Sequence, residues 1–247
     1  MSISSVFSQR VAELNPQPIA AVLFDLDGTL IDSVPDLTAA IDAMLESMGK
    51  TPVGEVKVNR WVGNGAAALV KRALADCDDG DELHHARYPH ERDDEAYLAA
   101  YSIFEVAYEQ RLTTATGLYD GVLLVLSALT SAGIKLGLIT NKPRRFTLPL
   151  LKALAIDHYF LDVICGDDLA FKKPHPLPVL TALENLSVSA QQAIMVGDSI
   201  SDIKSASAAG VKTVAVTYGY NHGISITDAR NECQADVHID QMQQLLD

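Results

Sequence analysis

The sequence predicts an α/β fold, a Rossmann-like parallel sheet with an inserted helical segment, on the strength of two observations. Residues 20–24, AAVLF, form a short apolar run without alternation, which is typical of a strand buried on both faces of a parallel sheet. From about Gly117 onward, similar runs alternate with helical patterns, as they do in βαβ units. The stretch between them has helical patterns only. We therefore predict a core of residues 1–31 and 113–247 and a helical cap of residues 32–112.

The first strand ends in two aspartates, and the residues before it contain no long apolar run, so we expect the first twenty residues to be a short surface segment. In a still-extended backbone residues i and i+2 point the same way, so Asp25 and Asp27 should share one side of the sheet edge. Gly28 then lets the chain turn away. Two carboxylates at this edge are unfavourable neighbours unless a cation or a shared proton separates them, which indicates a metal and phosphate site.

Helical patterns fill the predicted cap. Residues 33–49 predict a helix with Ser33 at its N-cap and Gly49 after its end. A second pattern, NGAAALVKRAL, follows Gly63. A third runs from Arg92 to Leu112 and carries an aromatic stripe that is expected to pack in a core: Tyr97, Tyr101, Phe104 and Tyr108. The acidic stretch of residues 75–91, with three histidines, is expected to be a solvated loop: His84, His85 and His90.

Strands and helices alternate through the rest of the chain. Strands are predicted at residues 134–140, 162–165, 193–198 and 212–219, and the last of these is expected to be the final strand. Helices are predicted at residues 121–133, 142–156, 176–186 and 201–210. Because parallel strands bring their carboxyl ends to one edge, the polar residues at those ends should meet beside the two aspartates. These residues are Thr140, Asn141, Lys172, Lys173, Asp198 and Asp202.

Each of these polar residues has an ordinary explanation when it is taken alone. A Thr-Asn pair after a strand is commonly a turn, a lysine before a proline is commonly on the surface, and an aspartate at the start of a helix is commonly a cap. Their joint order along the chain favours chemistry over these separate explanations.

The composition narrows the classes of partner. The net charge is −13, with 32 acidic against 19 basic side chains, so nucleic acid and an anionic membrane would both be repelled at long range. A small anionic substrate remains compatible if a bound cation reverses the sign locally. Cys77, Cys165 and Cys233 show no CxxC spacing, which predicts neither a disulfide framework nor a zinc site and fits a cytoplasmic location.

Four motifs, in the order DLDGT, LITN, KKP and GDSISD, resemble those of the haloacid dehalogenase superfamily of aspartyl-phosphate phosphatases, in which a helical cap follows the first motif. Within that superfamily, the stretches WVGNGA, GDDLAFKKPHPLP, GDSISDIKSASAAG and TYGYNHG are most similar to the phosphoglycolate phosphatases. The resemblance implies a Mg²⁺-dependent hydrolase of a small phosphorylated metabolite. It further implies 2-phosphoglycolate as the substrate, with glycolate and phosphate as the products.

The resemblance also implies roles for individual residues. Asp25 would be the nucleophile that forms an aspartyl-phosphate, and Asp27 the general acid and base. Thr140, Asn141 and Lys173 would bind and neutralise the phosphate, while spacing alone does not exclude Lys172 in place of Lys173. Mg²⁺ would be held by Asp25, the backbone carbonyl of Asp27 and Asp198, with Asp202 acting from behind them on a metal-bound water or on Lys173.

The start of the second cap helix would close over the substrate, since backbone N–H groups at a helix start can bind a carboxylate. The residues concerned are Trp61, Gly63, Asn64 and Gly65, with Arg60 as a further candidate for binding the anion. An equally weighted alternative is that WVGNG is only a tight turn before the helix.

Other functions stay open at this point. A sugar-phosphate phosphatase or a phosphomutase would use the same motifs, and a non-catalytic relative could bind phosphorylated metabolites or a partner through the cap. Retention of all the motif residues favours an enzyme, and Asp27 disfavours halide cleavage, which needs no acid at that place. The sequence leaves monomer and homodimer equally possible.

Overall fold

A computed structural model describes residues 6–77, 95–231 and 233–246. The predicted histidine-containing loop, with His84, His85 and His90, and the predicted helix start at Arg92 lie outside these residues. Among the helices of the described ranges, none combines the length and the apolar character needed to span a membrane.

The described strands form one parallel sheet and one small antiparallel pair. The strands are β1 Ala21–Phe24, β2 Ile31–Asp32, β3 Gly117–Leu118, β4 Lys135–Ile139, β5 Asp162–Ile164, β6 Ala193–Gly197, β7 Lys212–Val216 and β8 Val237–Ile239. The parallel sheet has the order β5-β4-β1-β6-β7-β8, with β1 between β4 and β6. Phe24 lies opposite both Leu138 and Val196, so the carboxyl ends of the three central strands are level with one another. The predicted α/β fold is confirmed.

Helices cover both faces of this sheet. They are α1 Gln9–Ala12, α2 Val34–Ser47, α3 Glu55–Trp61, α4 Ala66–Ala75, α5 Glu95–Glu109, α6 Val122–Ser131, α7 Arg144–Ala153, α8 Leu177–Leu186 and α9 Ile200–Ala208. Val22 and Phe24 of β1 belong to a core cluster with α6 and α7, whereas Ala21 and Leu23 belong to a cluster with α8 and α9. Alternate residues of β1 therefore face opposite layers, and all four are fully buried, as the unalternating apolar run predicts.

Helices α2 to α5 form a hydrophobic cluster that is separate from the core of the sheet. Within this cluster, α2 and α5 make an extended contact with each other. The chain enters this region through β2 and leaves it through β3, and these two strands pair in antiparallel fashion, with Ile31 opposite Leu118. The two chain segments that connect the helical region to the sheet therefore lie side by side. Two residues from the sheet-bearing part of the chain, Phe146 and Tyr220, also join the helical cluster. The division at residues 32 and 112 stays a prediction.

Two expectations about the ends of the core are wrong. Phe7 and Val11 are buried in the main core, so the leading residues are more than a surface segment. In addition, β7 is not the final strand, because β8 pairs with it in parallel. α1, at four residues, is too short to show a helical period. β8 and β5 have three residues each, but β5 lies between two predicted helices, whereas no helix was predicted after β8.

Candidate active site

The candidate active site lies at the carboxyl edge of the central strands. Asp25 follows β1, Thr140 follows β4 and Asp198 follows β6. All three residues are buried, and the level register of the strands brings them together. The predicted meeting of strand-end polar groups is therefore what the structure has.

Lys173 lies at the centre of the site. Its Nζ atom lies 2.6 Å from Oδ1 of Asp25, 2.6 Å from Oδ1 of Asp202 and 2.6 Å from the carbonyl oxygen of Ile139. The lysine is only 3% exposed. A buried ammonium with three short hydrogen bonds has a fixed position, and it offsets the charge of the aspartates around it.

The carboxylates outnumber this one cation. Carboxylate oxygens of Asp25, Asp198 and Asp202 lie within 4.8 Å of one another. Burial, reinforced by the negative charge of Asp202, raises the pKa of Asp25 well above its usual value even though Lys173 opposes the shift. Burial and Asp202 also raise the pKa of Asp198, to about 7. Both shifts have the same physical cause, an excess of buried negative charge that a further cation would relieve.

The donor set fits a hard divalent cation, because all its members are carboxylate oxygens. Asp202 is already engaged on both sides: one oxygen accepts from Lys173, and the other accepts from the N–H and hydroxyl of Ser199. Asp198 accepts one hydrogen bond from Thr29 Oγ1 and one from the N–H of Tyr220. Asp25 accepts one of these side-chain hydrogen bonds, Asp198 accepts two and Asp202 accepts three, so Asp202 has the least capacity left for a metal. The ligand set stays a prediction.

Asp27 faces a second buried lysine. Nζ of Lys142 lies 2.9 Å from Oδ1 of Asp27, and the hydroxyl of Ser33 donates to the same oxygen over 2.5 Å. Ser33 does stand at the N-cap of α2, but its side chain makes no capping hydrogen bond and holds Asp27 instead. Lys142 was missed by the sequence analysis, although it lies in the NKP stretch directly after the strand-end Thr-Asn pair. Its contact with Asp27 depends on the loop path, which no spacing rule specifies.

The two residues after β4 hold the loops of the site together. The hydroxyl of Thr140 accepts from the N–H of Lys142 over 3.1 Å. The Nδ2 atom of Asn141 donates to the carbonyl oxygens of Gly63 and Lys173, both over 3.1 Å. Asn141 thus bridges the helical region and the lysine-bearing loop.

The structure separates the two neighbouring lysines. Lys173 occupies the site, whereas Nζ of Lys172 donates to the carbonyl oxygen of Asn64 over 2.6 Å. Lys172 is exposed at the edge between the helical region and the sheet. The geometry therefore favours Lys173 as the residue beside a bound phosphate.

A cavity opens above the two aspartates and leads to the helical region. One end is lined by polar groups, namely Asp25, Asp27, Thr140, Asn141 and Lys142. The rest is lined by Leu37, Val62, Gly63, Gly65, Ala66, Leu69, Phe104, Tyr108 and Phe146. A cavity with an apolar wall and a few converging polar groups is the usual form of a small-molecule site.

The sequence profile of the haloacid dehalogenase-like hydrolases matches residues 22–216, which include every residue that lines the cavity as well as Lys173, Asp198 and Asp202. The chain belongs to the haloacid dehalogenase-like hydrolase family.

Relatives and solved structures agree with this family membership. The chain is 44% identical to "Phosphoglycolate phosphatase" of Nitrosococcus oceani over 87% of this chain and 91% of the relative. It is 45% identical to "Phosphoglycolate phosphatase 1" of Pseudomonas aeruginosa over 84% of this chain and 72% of that one. Its fold is similar to the crystal structure of a predicted phosphoglycolate phosphatase from Haemophilus somnus, with a TM-score of 0.79, 33% identity, and coverage of 92% and 96% of the two chains.

Among the cap residues expected near the substrate, Gly63 and Gly65 line the cavity of this hydrolase-family chain. Trp61 and Asn64 are not among the lining residues. Trp61 is fully buried in the cluster of α2 to α5, and the side-chain oxygen of Asn64 accepts from Nη2 of Arg72 over 2.8 Å. The contact of Trp61 and Asn64 with the substrate stays a prediction. The last residue of α3 faces the interior of the helical cluster, and sequence spacing gave no sign of that orientation.

Proposed function

We propose that the chain is a Mg²⁺-dependent phosphatase that hydrolyses 2-phosphoglycolate to glycolate and phosphate through an aspartyl-phosphate intermediate. The observation that carries this proposal is the buried cluster in which Lys173 joins Asp25 to Asp202 beside Asp198. Such a cluster suits phosphoryl transfer, which needs a positioned nucleophile and neutralisation of the phosphate charge. In this proposal, Asp25, the backbone carbonyl of Asp27 and Asp198 would hold Mg²⁺, which would supply positive charge to offset that of the phosphate oxygens.

Asp25 is the proposed nucleophile. Its carboxylate oxygen forms a bond to phosphorus, and the bond from phosphorus to the leaving oxygen breaks. Lys173, 2.6 Å from Asp25 Oδ1, orients the carboxylate for this in-line attack. Thr140 binds a phosphate oxygen through its hydroxyl, and Asn141 binds one through its N–H. The positive charge of Lys173 offsets the negative charge of these oxygens.

Asp27 moves the protons. It donates a proton to the leaving oxygen in the first step, and in the second it accepts one from the water that attacks the aspartyl-phosphate. That attack breaks the bond between Asp25 and phosphorus and releases phosphate. The hydroxyl of Ser33 and the ammonium of Lys142 fix the side chain of Asp27 for both transfers. Asp202 acts indirectly in this proposal, because its carboxylate accepts a hydrogen bond from Lys173 and holds that lysine in position.

The choice of substrate is supported by the relatives that carry the name phosphoglycolate phosphatase at 44% to 47% identity over more than four fifths of this chain. The partner is thus a small phosphorylated metabolite. The three cysteines, which are all free thiols in the structure, are compatible with the proposed cytoplasmic location.

The test is phosphate release from a panel of esters with Mg²⁺: 2-phosphoglycolate, β-glucose 1-phosphate, phosphoserine and an aryl phosphate. We expect kcat/KM for 2-phosphoglycolate to exceed the others by about a hundredfold, which corresponds to ~2.7 kcal/mol of transition-state discrimination. Asp25→Asn should abolish release from every ester, and chelation of the metal should do the same.

A different experimental result would contradict each part of the proposed function. More than trace turnover by Asp25→Asn contradicts the nucleophile assignment, and full activity after chelation contradicts the role of Mg²⁺. Equal rates on all esters that still vanish with Asp25→Asn keep the phosphatase mechanism and discard the named substrate. Turnover that requires an added bisphosphate would point instead to a phosphomutase.

A further inference from the structure

Two polar groups in the cavity do not react in the phosphoryl-transfer steps described above. One has no role in these steps, and the other only positions Asp27. They are the phenol of Tyr108, in the last turn of α5, and the ammonium of Lys142, which follows β4. Tyr108 is 1% exposed and Lys142 is 6% exposed. They come from different regions of the chain and meet at the cavity wall, where Nζ of Lys142 lies 4.8 Å from the centroid of the Tyr108 ring.

The hydroxyl of Tyr108 donates to no acceptor among the residues that the structure describes, although the ammonium of Lys142 lies near enough to lower its pKa as a hydrogen-bond donor. A buried hydroxyl proton without an acceptor costs about 1 to 3 kcal/mol. The ring itself is well packed, at 5.1 Å from the ring of Phe146 and 5.6 Å from that of Phe104, so a phenylalanine would satisfy the packing without this cost. Burial raises the pKa of Tyr108 to about 12 against the opposing effect of Lys142, which leaves the phenol protonated and able to donate.

Lys142 has donors to spare as well. Its ammonium carries three N–H bonds, of which one is directed at Asp27 over 2.9 Å. Around it, the cavity wall is apolar apart from the site residues already named. A second anion on the side of Lys142 away from the nucleophile would meet a desolvated positive charge, where an ionic hydrogen bond is strong.

The position of these donors decides what they could bind. Asp27 is the residue that protonates the leaving oxygen, and Lys142 touches Asp27. A group attached to the carbon next to the leaving oxygen would therefore lie close to Lys142 and Tyr108. An ammonium and a phenol that converge on one place are suited to a carboxylate, which accepts a hydrogen bond on each oxygen.

We propose that Lys142 and Tyr108 form the subsite that binds the carboxylate of the leaving group, so that the chain selects phosphate esters with a carboxylate on the carbon next to the ester oxygen. The inference rests on the proposed function and names the residues that give it its substrate. The discrimination comes from leaving two buried donors unpaired when a neutral group replaces the carboxylate.

The test compares 2-phosphoglycolate with its amide, which has the same shape and no carboxylate charge. In Tyr108→Phe, we expect the ratio of kcat/KM for the acid over the amide to fall by about tenfold or more. Tyr101→Phe is the matched control, since Tyr101 lies on the same helix and is not among the residues that line the cavity, and its ratio should equal that of the unmodified chain. A Tyr108→Phe ratio equal to the control would overturn the inference.

Lys142 is tested by binding, because its loss also removes the partner of Asp27. In chains that carry Asp25→Asn, with or without Lys142→Met, calorimetry gives the affinities for 2-phosphoglycolate and for inorganic phosphate. The added substitution should weaken 2-phosphoglycolate binding at least tenfold more than phosphate binding. An equal loss of affinity for both compounds would contradict the subsite.

The two proposals fail in different ways. If the unmodified chain prefers the acid and Tyr108→Phe keeps that preference, the carboxylate subsite is wrong and the proposed function stands. If the unmodified chain hydrolyses acid and amide equally, both the subsite and the named substrate are wrong. If no ester is hydrolysed, the phosphatase proposal itself fails, and the binding measurement still decides the subsite.

Discussion

At the scale of single residues, the position of Asp198 depends on two glycines. A Cβ atom on Gly28 would overlap the carboxylate of Asp198, and one on Gly219 would overlap its Cβ atom. Gly28 also has a φ of 86°, which other residues rarely adopt. The carboxylate is thus held between two turns of backbone that leave it no room to shift.

A methyl group at Gly219 should therefore displace Asp198 and with it any metal that its carboxylate holds. We expect Gly219→Ala to lower kcat/KM at least a hundredfold, about 2.7 kcal/mol in the barrier, and to weaken Mg²⁺ binding measured by calorimetry. Gly117→Ala is the control, because no atom lies within 4 Å of a Cβ there and its φ is not positive. Activity of Gly219→Ala close to that of the control would show that Asp198 does not need this position.

Residues at strand ends could be placed from the sequence, and residues that depend on contact between the helices and the sheet could not. Asp25, Asp198 and Lys173 were expected at one edge because parallel strands force their ends together. Lys142 and Tyr108 are far apart in the chain, and their meeting depends on how α5 packs over the loop after β4. Trp61 was expected near the substrate for its place in a motif, whereas packing turns it inward.

At the scale of elements, the hydrogen bonds of one aspartate, Asp168, hold the loop after β5 in place. Oδ2 of Asp168 accepts from the N–H of Cys165 over 2.7 Å and from Nη2 of Arg144, and Oδ1 accepts from Nε of Arg144 over 2.6 Å. Burial alone would raise the pKa of Asp168, but the hydrogen bonds from Arg144 and Cys165 outweigh it and hold the pKa below its usual value. This aspartate ties the start of α7 to the end of β5.

A lowered pKa in the folded chain makes the contribution of Asp168 dependent on pH. The folded state prefers the ionised carboxylate, so the stabilisation is present above the unfolded pKa of about 4 and is lost as the pH falls through the lower folded value. Asp168→Asn should lower the free energy of unfolding by about 0.5 to 1 kcal/mol at pH 7. In urea titrations at pH 7, 4 and 3, the difference from the unmodified chain should shrink, whereas Asp157→Asn should differ little at any pH. A constant difference for Asp168→Asn would mean that its charge is irrelevant.

Helices of nine residues or more were predictable because their apolar period is visible, whereas the two-residue strands were not. The strands β2 and β3 have two residues each, and their pairing joins residues that are far apart in the chain, such as Ile31 and Leu118, which are 87 positions apart. A local pattern carries no information about such a pairing.

At the scale of the whole molecule, one of the contacts between the sheet-bearing part and the helical region is made at a short segment, residues 60–64. Three polar groups reach backbone carbonyl oxygens there: Nδ1 of His222 lies 3.1 Å from that of Arg60, Asn141 donates to that of Gly63, and Lys172 donates to that of Asn64. These contacts hold the wall of the cavity over the aspartates.

Removing one of these contacts should affect closure more than folding. We expect Lys172→Met to lower kcat/KM three- to tenfold, since one hydrogen bond of about 1 kcal/mol is lost from the closed arrangement. The melting temperature should change little, because Lys172 is exposed. Lys152→Met, on the exposed side of α7, should leave both quantities unchanged. A parallel loss of activity in both variants, or in neither, would contradict this role for the segment.

The place of β1 in the middle of the sheet also determines the order in which the chain can fold. Phe24 is synthesised about 170 residues before its neighbour Val196, which takes the ribosome roughly 10 to 35 s at 5 to 20 residues per second. Throughout that interval, one edge of a wholly apolar strand lacks its partner, which makes the nascent chain prone to aggregation and slow to complete its folding. The helices α2 to α5 contact one another locally and can form in the meantime. The strand that precedes Asp25 is thus the first strand of the parallel sheet to be made, and it waits for its second neighbour until most of the chain has been synthesised.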